Sequence, residues 1–109
     1  MILATVRMKM PPEKWHEAVR ILTRTAERTR VEHGCIACRV YQDAKEPREL
    51  LFEEEWRSEG ELTRHLSSDH FRNVLLVMEM AVEPPEIRFD AIQHSSGVET
   101  IEKARDCRR

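Results

Sequence analysis

The sequence predicts an α+β domain of ferredoxin-like order β-α-β-β-α-β, with a four-stranded antiparallel sheet carrying its helices on one face. Three observations lead there. Four short segments, Ile2–Lys9, Cys35–Gln42, Leu50–Trp56 and Ile87–Ala91, have strand composition or a two-residue alternation. Segments with apolar residues at helical spacing lie between the first and second strands and between the third and fourth. The second and third strands are joined by the short polar link "DAKEPRE", which suits an antiparallel pair.

Along Ile2–Lys9 the residues Ile2, Ala4, Val6 and Met8 share one face, and Leu3, Thr5, Arg7 and Lys9 the other. "MPPEKW" ends that strand, because proline cannot donate to a ladder but suits the first turn of a helix. The helix runs from Glu13 to about Glu32, with Trp15, Ala18, Val19, Leu22 and Ala26 on one side. Gly34 follows, a residue able to take the left-handed conformation that closes a helix. After the third strand, Ser58 and Glu61 have capping-box spacing, which predicts a helix to about Leu66. A further helix starts at Ser68 or Asp69, with Phe71, Val74, Leu75 and Met78 on one face, and "EPPE" stops it before the fourth strand. Residues 1–93 thus form the domain. Residues 94–109 read as a polar tail with room for a short helix around Val98 to Ala104.

Composition narrows the function classes without choosing one. At 109 residues the chain is large enough for one modest core. A formal net charge of -2 gives no long-range attraction to phosphates, so nucleic acid is not an expected partner. Nor is a membrane, since no apolar run approaches the roughly 20 residues of a membrane helix. "MILATV" is too short for the apolar core of a secretory signal, and three cysteines, an odd number, fit a reducing cytoplasm. If the helices cover one face of the sheet, the row Ile2, Ala4, Val6 and Met8 is expected to lie uncovered on the other. A homodimer packed sheet against sheet through that row would cover it.

Three constellations invite chemistry. "CIAC" is a C-x-x-C on a strand, where residues three apart point to opposite faces, so it reads as two small packing residues rather than a redox pair. Arg20, Arg24 and Arg28 form a stripe that Glu17 and Glu27 accompany, as on a solvated helix face. Alternation splits "EEE" at 53–55 and leaves Glu54 on the face of Phe52 and Trp56. One carboxylate is too little for a metal site but enough for a general base. The bland alternative for Glu54 is a hydrogen bond to Arg7 or Tyr41 on adjacent strands.

The blocks "GCIACRVYQD", "LLFEEEWRSEGELTRHLSSDHFR" and "EPPEIRF" resemble the antibiotic biosynthesis monooxygenase family of the dimeric α+β barrel superfamily, over about Met1 to Ile92. The resemblance implies a dimer whose sheets form a barrel, with a pocket between each sheet and its own helices. It also implies oxidation of a quinol or an electron-rich polycyclic phenol by O2 with no cofactor and no metal. On this reading Glu54 and His65 are catalytic, and Trp56, Phe52, Phe71, Thr5 and Leu62 line a pocket for a hydrophobic small molecule. Several positions depart from the family pattern. Phe52 stands where polyketide-oxidising relatives have a substrate-orienting Asn, and Leu62 where they have a pocket Tyr. Leu75 and Thr5 replace the iron-binding His and the Asn of haem-degrading relatives, which makes haem the weakest reading. A non-catalytic binder of the same fold stays open beside the enzyme. So do packing roles for Trp56, His65 and His70.

Overall fold

The computed structural model describes residues 1–106. The strands are β1 (Ile2–Lys9), β2 (Cys35–Gln42), β3 (Glu49–Trp56) and β4 (Glu86–Ala91), and the helices are α1 (Trp15–Thr29), α2 (Glu59–Leu66), α3 (Arg72–Met80) and α4 (Val98–Asp106). A single 3-10 turn, Asp69–Phe71, leads into α3. The sheet is antiparallel in the order β2-β3-β1-β4, which is the ferredoxin-like topology expected from the sequence.

Local chemistry accounts for the helix ends near the site. Ser58 caps α2 by accepting a hydrogen bond from the Glu61 amide at 3.3 Å, which satisfies a donor the first helical turn leaves unpaired. Ser68 does the same for the 3-10 turn, accepting from the Phe71 amide. Gly34 has φ +91°, a conformation L side chains rarely adopt, so the backbone calls for glycine there, and a Cβ would also have to displace the flexible Glu61 carboxyl group. The Gly34 carbonyl accepts from the Arg57 amide at 2.9 Å, which ties the turn after α1 to the end of β3.

Helix α1 buries Ala18, Leu22, Thr25, Ala26 and Thr29 on one side, and α3 buries Val74 and Val77. Leu75 is exposed, so the buried side of this segment is Phe71, Val74 and Val77 rather than the side running through Leu75. These helices pack on the face of Met8, Leu50 and Phe52 to form the main core, while Ala4, Trp56 and Leu62 form a smaller one.

That arrangement corrects the expected dimer face. Ala4, Val6 and Met8 lie beneath the chain's own helices, and Ile2 is partly buried beside them, so this row cannot join a second copy. The register is the physical reason. Ala4 pairs with Glu54, Val6 with Phe52 and Met8 with Leu50, and directly opposed residues of an antiparallel pair share a face. The face left without helices carries Leu3, Thr5, Arg7, Leu51, Glu53 and Glu55. The parity expected for Cys35 and Cys38 is also overturned. A bulge between Cys35 and Ala37 inserts a residue, so Cys35 pairs with Trp56 and Cys38 with Glu54, and both thiols turn toward the helices. Edge strand β4 extends the sheet past the helices, leaving Ile87 and Phe89 exposed. Helix α4 buries nothing. Residues 107–109 of the tail, Cys107 among them, lie outside the described residues.

Candidate active site

Four pieces of chain converge on His65. Strand β3 presents Phe52, Glu54 and Trp56 at two-residue spacing on the helix-facing side, and α2 presents Leu62 and His65 one turn apart. The 3-10 turn supplies His70 and Phe71. The turn after α1 supplies Glu32. Its backbone is pinned at both ends, its amide donating to the Thr29 carbonyl at 3.0 Å and its carbonyl accepting from the Cys35 amide at 3.1 Å.

His65 has a side chain closed to solvent and a carboxylate at each ring nitrogen. Nε2 lies 2.6 Å from Glu54 Oε2, whose side chain is 3% exposed. That contact is an ion pair and does not meet the geometry of an aligned hydrogen bond. Nδ1 donates to Glu32, at 2.9 Å to Oε2 and 3.1 Å to Oε1. Aromatic rings enclose the imidazole. Trp56 lies at a centroid distance of 4.6 Å and 33°, and Phe71 meets it edge-on at 5.3 Å. Burial on its own disfavours charge on His65, but the contact and charge of Glu54, together with those of Glu32, outweigh it and raise the pKa above the usual histidine value. Both acids thus favour the protonated ring.

His70 is pinned differently. Its Nε2 lies 3.1 Å from both the Thr25 carbonyl and Thr29 Oγ1. A carbonyl can only accept, and the Thr29 hydroxyl already donates to that same carbonyl, so Nε2 carries the proton. The His70 ring ties the turn before α3 to α1. Trp56 Nε1 is buried and finds no acceptor among the described residues, a costly state for an N–H group.

Two recesses adjoin this cluster. One, of about 230 Å³, is lined by Glu32, His33, Glu61, Arg64 and His65. The other, of about 380 Å³, is more apolar and lies between α2 and β4, bounded by Ile2, Leu62, Leu66 and Phe89 among others. Among the described residues no group of three or more His, Cys, Asp or Glu side chains is placed to hold a metal ion.

The residues singled out in the sequence therefore separate. Glu54, Trp56, His65 and Phe71 come together. Phe52 lies on the same strand face within the main core, and Leu62 packs with Trp56 while reaching the apolar recess. Thr5 does not join them. It pairs with Glu53 and Arg88 on the helix-free face, where strand alternation puts it. Arg7 and Tyr41 both pair with Leu51 on that same face, so neither can bond Glu54, whose partner is His65. Glu32 escaped sequence reasoning. It follows a helix end, outside any periodic pattern, and meets a residue 33 positions away.

A Trp closing β3, a Ser-capped helix bearing the buried His and a Ser-capped turn bearing His-Phe form one connected site. A family model described as antibiotic biosynthesis monooxygenase matches residues 1–75. The chain belongs to the antibiotic biosynthesis monooxygenase family. An uncharacterised protein of Synechocystis is 30% identical over 88 residues, which span 80% of this chain and 60% of that protein's length. A conserved protein of Methanosarcina mazei with a solved structure is 33% identical, covers 84% of this chain and 92% of its own, and superposes with a TM-score of 0.77. A solved antibiotic biosynthesis monooxygenase is 26% identical over 84% of this chain and 99% of its own, with a TM-score of 0.75. No helix among the described residues is long and apolar enough to cross a membrane.

Proposed function

We propose that this family member is a cofactor-independent monooxygenase that oxidises a quinol or another electron-rich phenol. The observation that carries the reading is the buried Glu54–His65 pair at 2.6 Å, stacked beneath Trp56 and joined to Glu32. A pair of this kind, closed to water and flanked by a second carboxylate, can take up the proton that a phenol must lose before it becomes a good electron donor. The quinolate then gives an electron to O2, and the resulting radicals combine at a ring carbon. Loss of water leaves one oxygen atom on the product and the other in water. For a simple quinol, quinol plus O2 yields a hydroxyquinone plus H2O, with every electron supplied by the substrate. The apolar recess of about 380 Å³, lined by Leu62 where it packs against Trp56, lies near the ~300 Å³ lower end of ligand-site volumes, which favours a single-ring substrate over a polycyclic one and leaves the recess beside Glu32 to water.

The test is turnover under ¹⁸O2 with a panel of single-ring quinols. One labelled atom in the product and one in water is the expected result. Product without label would end the reading.

A second reading, a non-catalytic binder of the same fold, draws on one observation. Trp56 and Phe52 are closed into the two cores, so the chain can hold them as packing alone. Fluorescence titration separates binding from packing: a phenol that quenches the protein should lose most of that effect in Trp56→Phe even though Trp15 remains.

Dimerisation, typical of the family, is also proposed, now through the helix-free face bearing Leu3, Thr5 and Leu51. Sedimentation should give a dimer for the parent and a folded monomer for Leu51→Arg. A parent that stays monomeric would contradict this.

A further inference from the structure

We infer that Glu32 is the residue through which protons enter and leave the buried Glu54–His65 pair. The inference rests on the proposed oxygenase reading and adds to it a residue and a direction of transfer.

The geometry gives each member of the trio a different access. Glu54 is 3% exposed and His65 is closed, whereas the Glu32 side chain is 30% exposed. Glu32 holds the Nδ1 proton of His65 with both carboxylate oxygens and lines the recess of about 230 Å³. Glu54 does not line that recess. A turnover that removes a proton from a phenol must pass it to the buried cluster and then out again, since an added buried charge cannot be retained at low cost. The path the contacts allow is short. The proton taken up by the pair is balanced when His65 gives its Nδ1 proton to a Glu32 oxygen, and Glu32 releases it to water in the recess.

Other titratable groups face the same ring and bound the claim. His70 is 6.4 Å away between centroids but is fixed on Thr25 and Thr29. Cys35 lies within the influence of Glu54 and Glu32, and its thiol is pushed up to about 11, first by burial and then by those two charges, so it is no carrier near neutral pH. His33, Glu61 and Arg64 surround the recess, but His33 pairs with Glu61 at 3.7 Å and none of the three bonds His65. Glu32 alone of these groups joins solvent to the ring.

The experiment uses Glu32→Ala and Glu32→Gln in the full chain. With a single-ring quinol, Glu32→Ala should lose about 10²–10⁴-fold in kcat, the range for removing a general base. Added formate should restore a saturable fraction of that loss, because it can occupy the vacated carboxylate position, while chloride at equal ionic strength should not. Glu32→Gln keeps the shape and an acceptor oxygen but cannot carry a proton, so it should stay slow and resist formate. Loss without formate rescue, or a Glu32→Gln rate equal to the parent's, would overturn the inference. If the parent turns over no quinol, the oxygenase reading fails instead. The inference is then decided by ¹⁵N NMR of the His65 ring: its titration midpoint should fall in Glu32→Gln and its Nδ1–H exchange should lose catalysis by solvent. An unchanged midpoint and exchange rate would overturn the assignment.

Discussion

Replacing Glu54 by Gln is the most informative single perturbation of stability, because its effect should depend on pH in a defined direction. His65 has its pKa raised in the folded chain against the cost of burial, by Glu54 and then by Glu32. A raised folded value contributes stability that is fully present below the unfolded histidine value of about 6.5 and is lost as pH climbs through the folded value. Removing one partner of a buried ion pair costs about 3–5 kcal/mol. Gln keeps an acceptor oxygen and Glu32 still faces Nδ1, so roughly half of that, about 2 kcal/mol, is the expected loss near pH 6. At about 4 °C per kcal/mol for a domain of this size, the melting midpoint should fall by about 8 °C. Thermal melts of parent and variant between pH 6 and pH 10 provide the assay. The gap should be widest at pH 6 and narrow as His65 loses its proton. Coincident melts, or a gap that does not change with pH, would refute the reasoning.

Two glycines should respond oppositely to alanine. Gly34→Ala, at φ +91° and against the Glu61 carboxyl group, should cost about 1–3 kcal/mol in urea unfolding. Gly60→Ala, inside α2 with no atom within 4 Å of the new Cβ, should stabilise by about 0.5–1 kcal/mol. The thiols supply another check. Burial, followed by the charge of Glu54, raises both Cys35, to about 11, and Cys38 further, so neither should react quickly with iodoacetamide at pH 8 until the chain is unfolded. Peptide mass spectrometry distinguishes them from Cys107.

Much of this was legible because it is local. Ser58 and Glu61 three apart give a cap, Gly34 gives a left-handed turn, and alternation puts Phe52, Glu54 and Trp56 on one face. Alternation gives a period but not a direction. Both faces of β1 carry apolar residues, so alternation alone does not say which way the row at Ala4, Val6 and Met8 points; its pairing with Glu54, Phe52 and Leu50 reveals that it faces the helices. Thr5 was lost from the site for the same reason. A bulge, invisible to a strict two-residue period, placed Cys35 and Cys38 together on one side. Glu32 was beyond reach because its role depends on a contact between the turn after α1 and a different helix, which no spacing in the chain encodes.

The central claim is that the Glu54–His65 contact serves chemistry rather than packing, and oxygen uptake in Glu54→Gln tests it most directly. With a single-ring quinol, well below both melting midpoints, the variant should bind like the parent by Trp quenching yet consume O2 about 10²–10⁴-fold more slowly. Equal uptake by parent and variant at saturating quinol would contradict the claim and leave the pair a structural one.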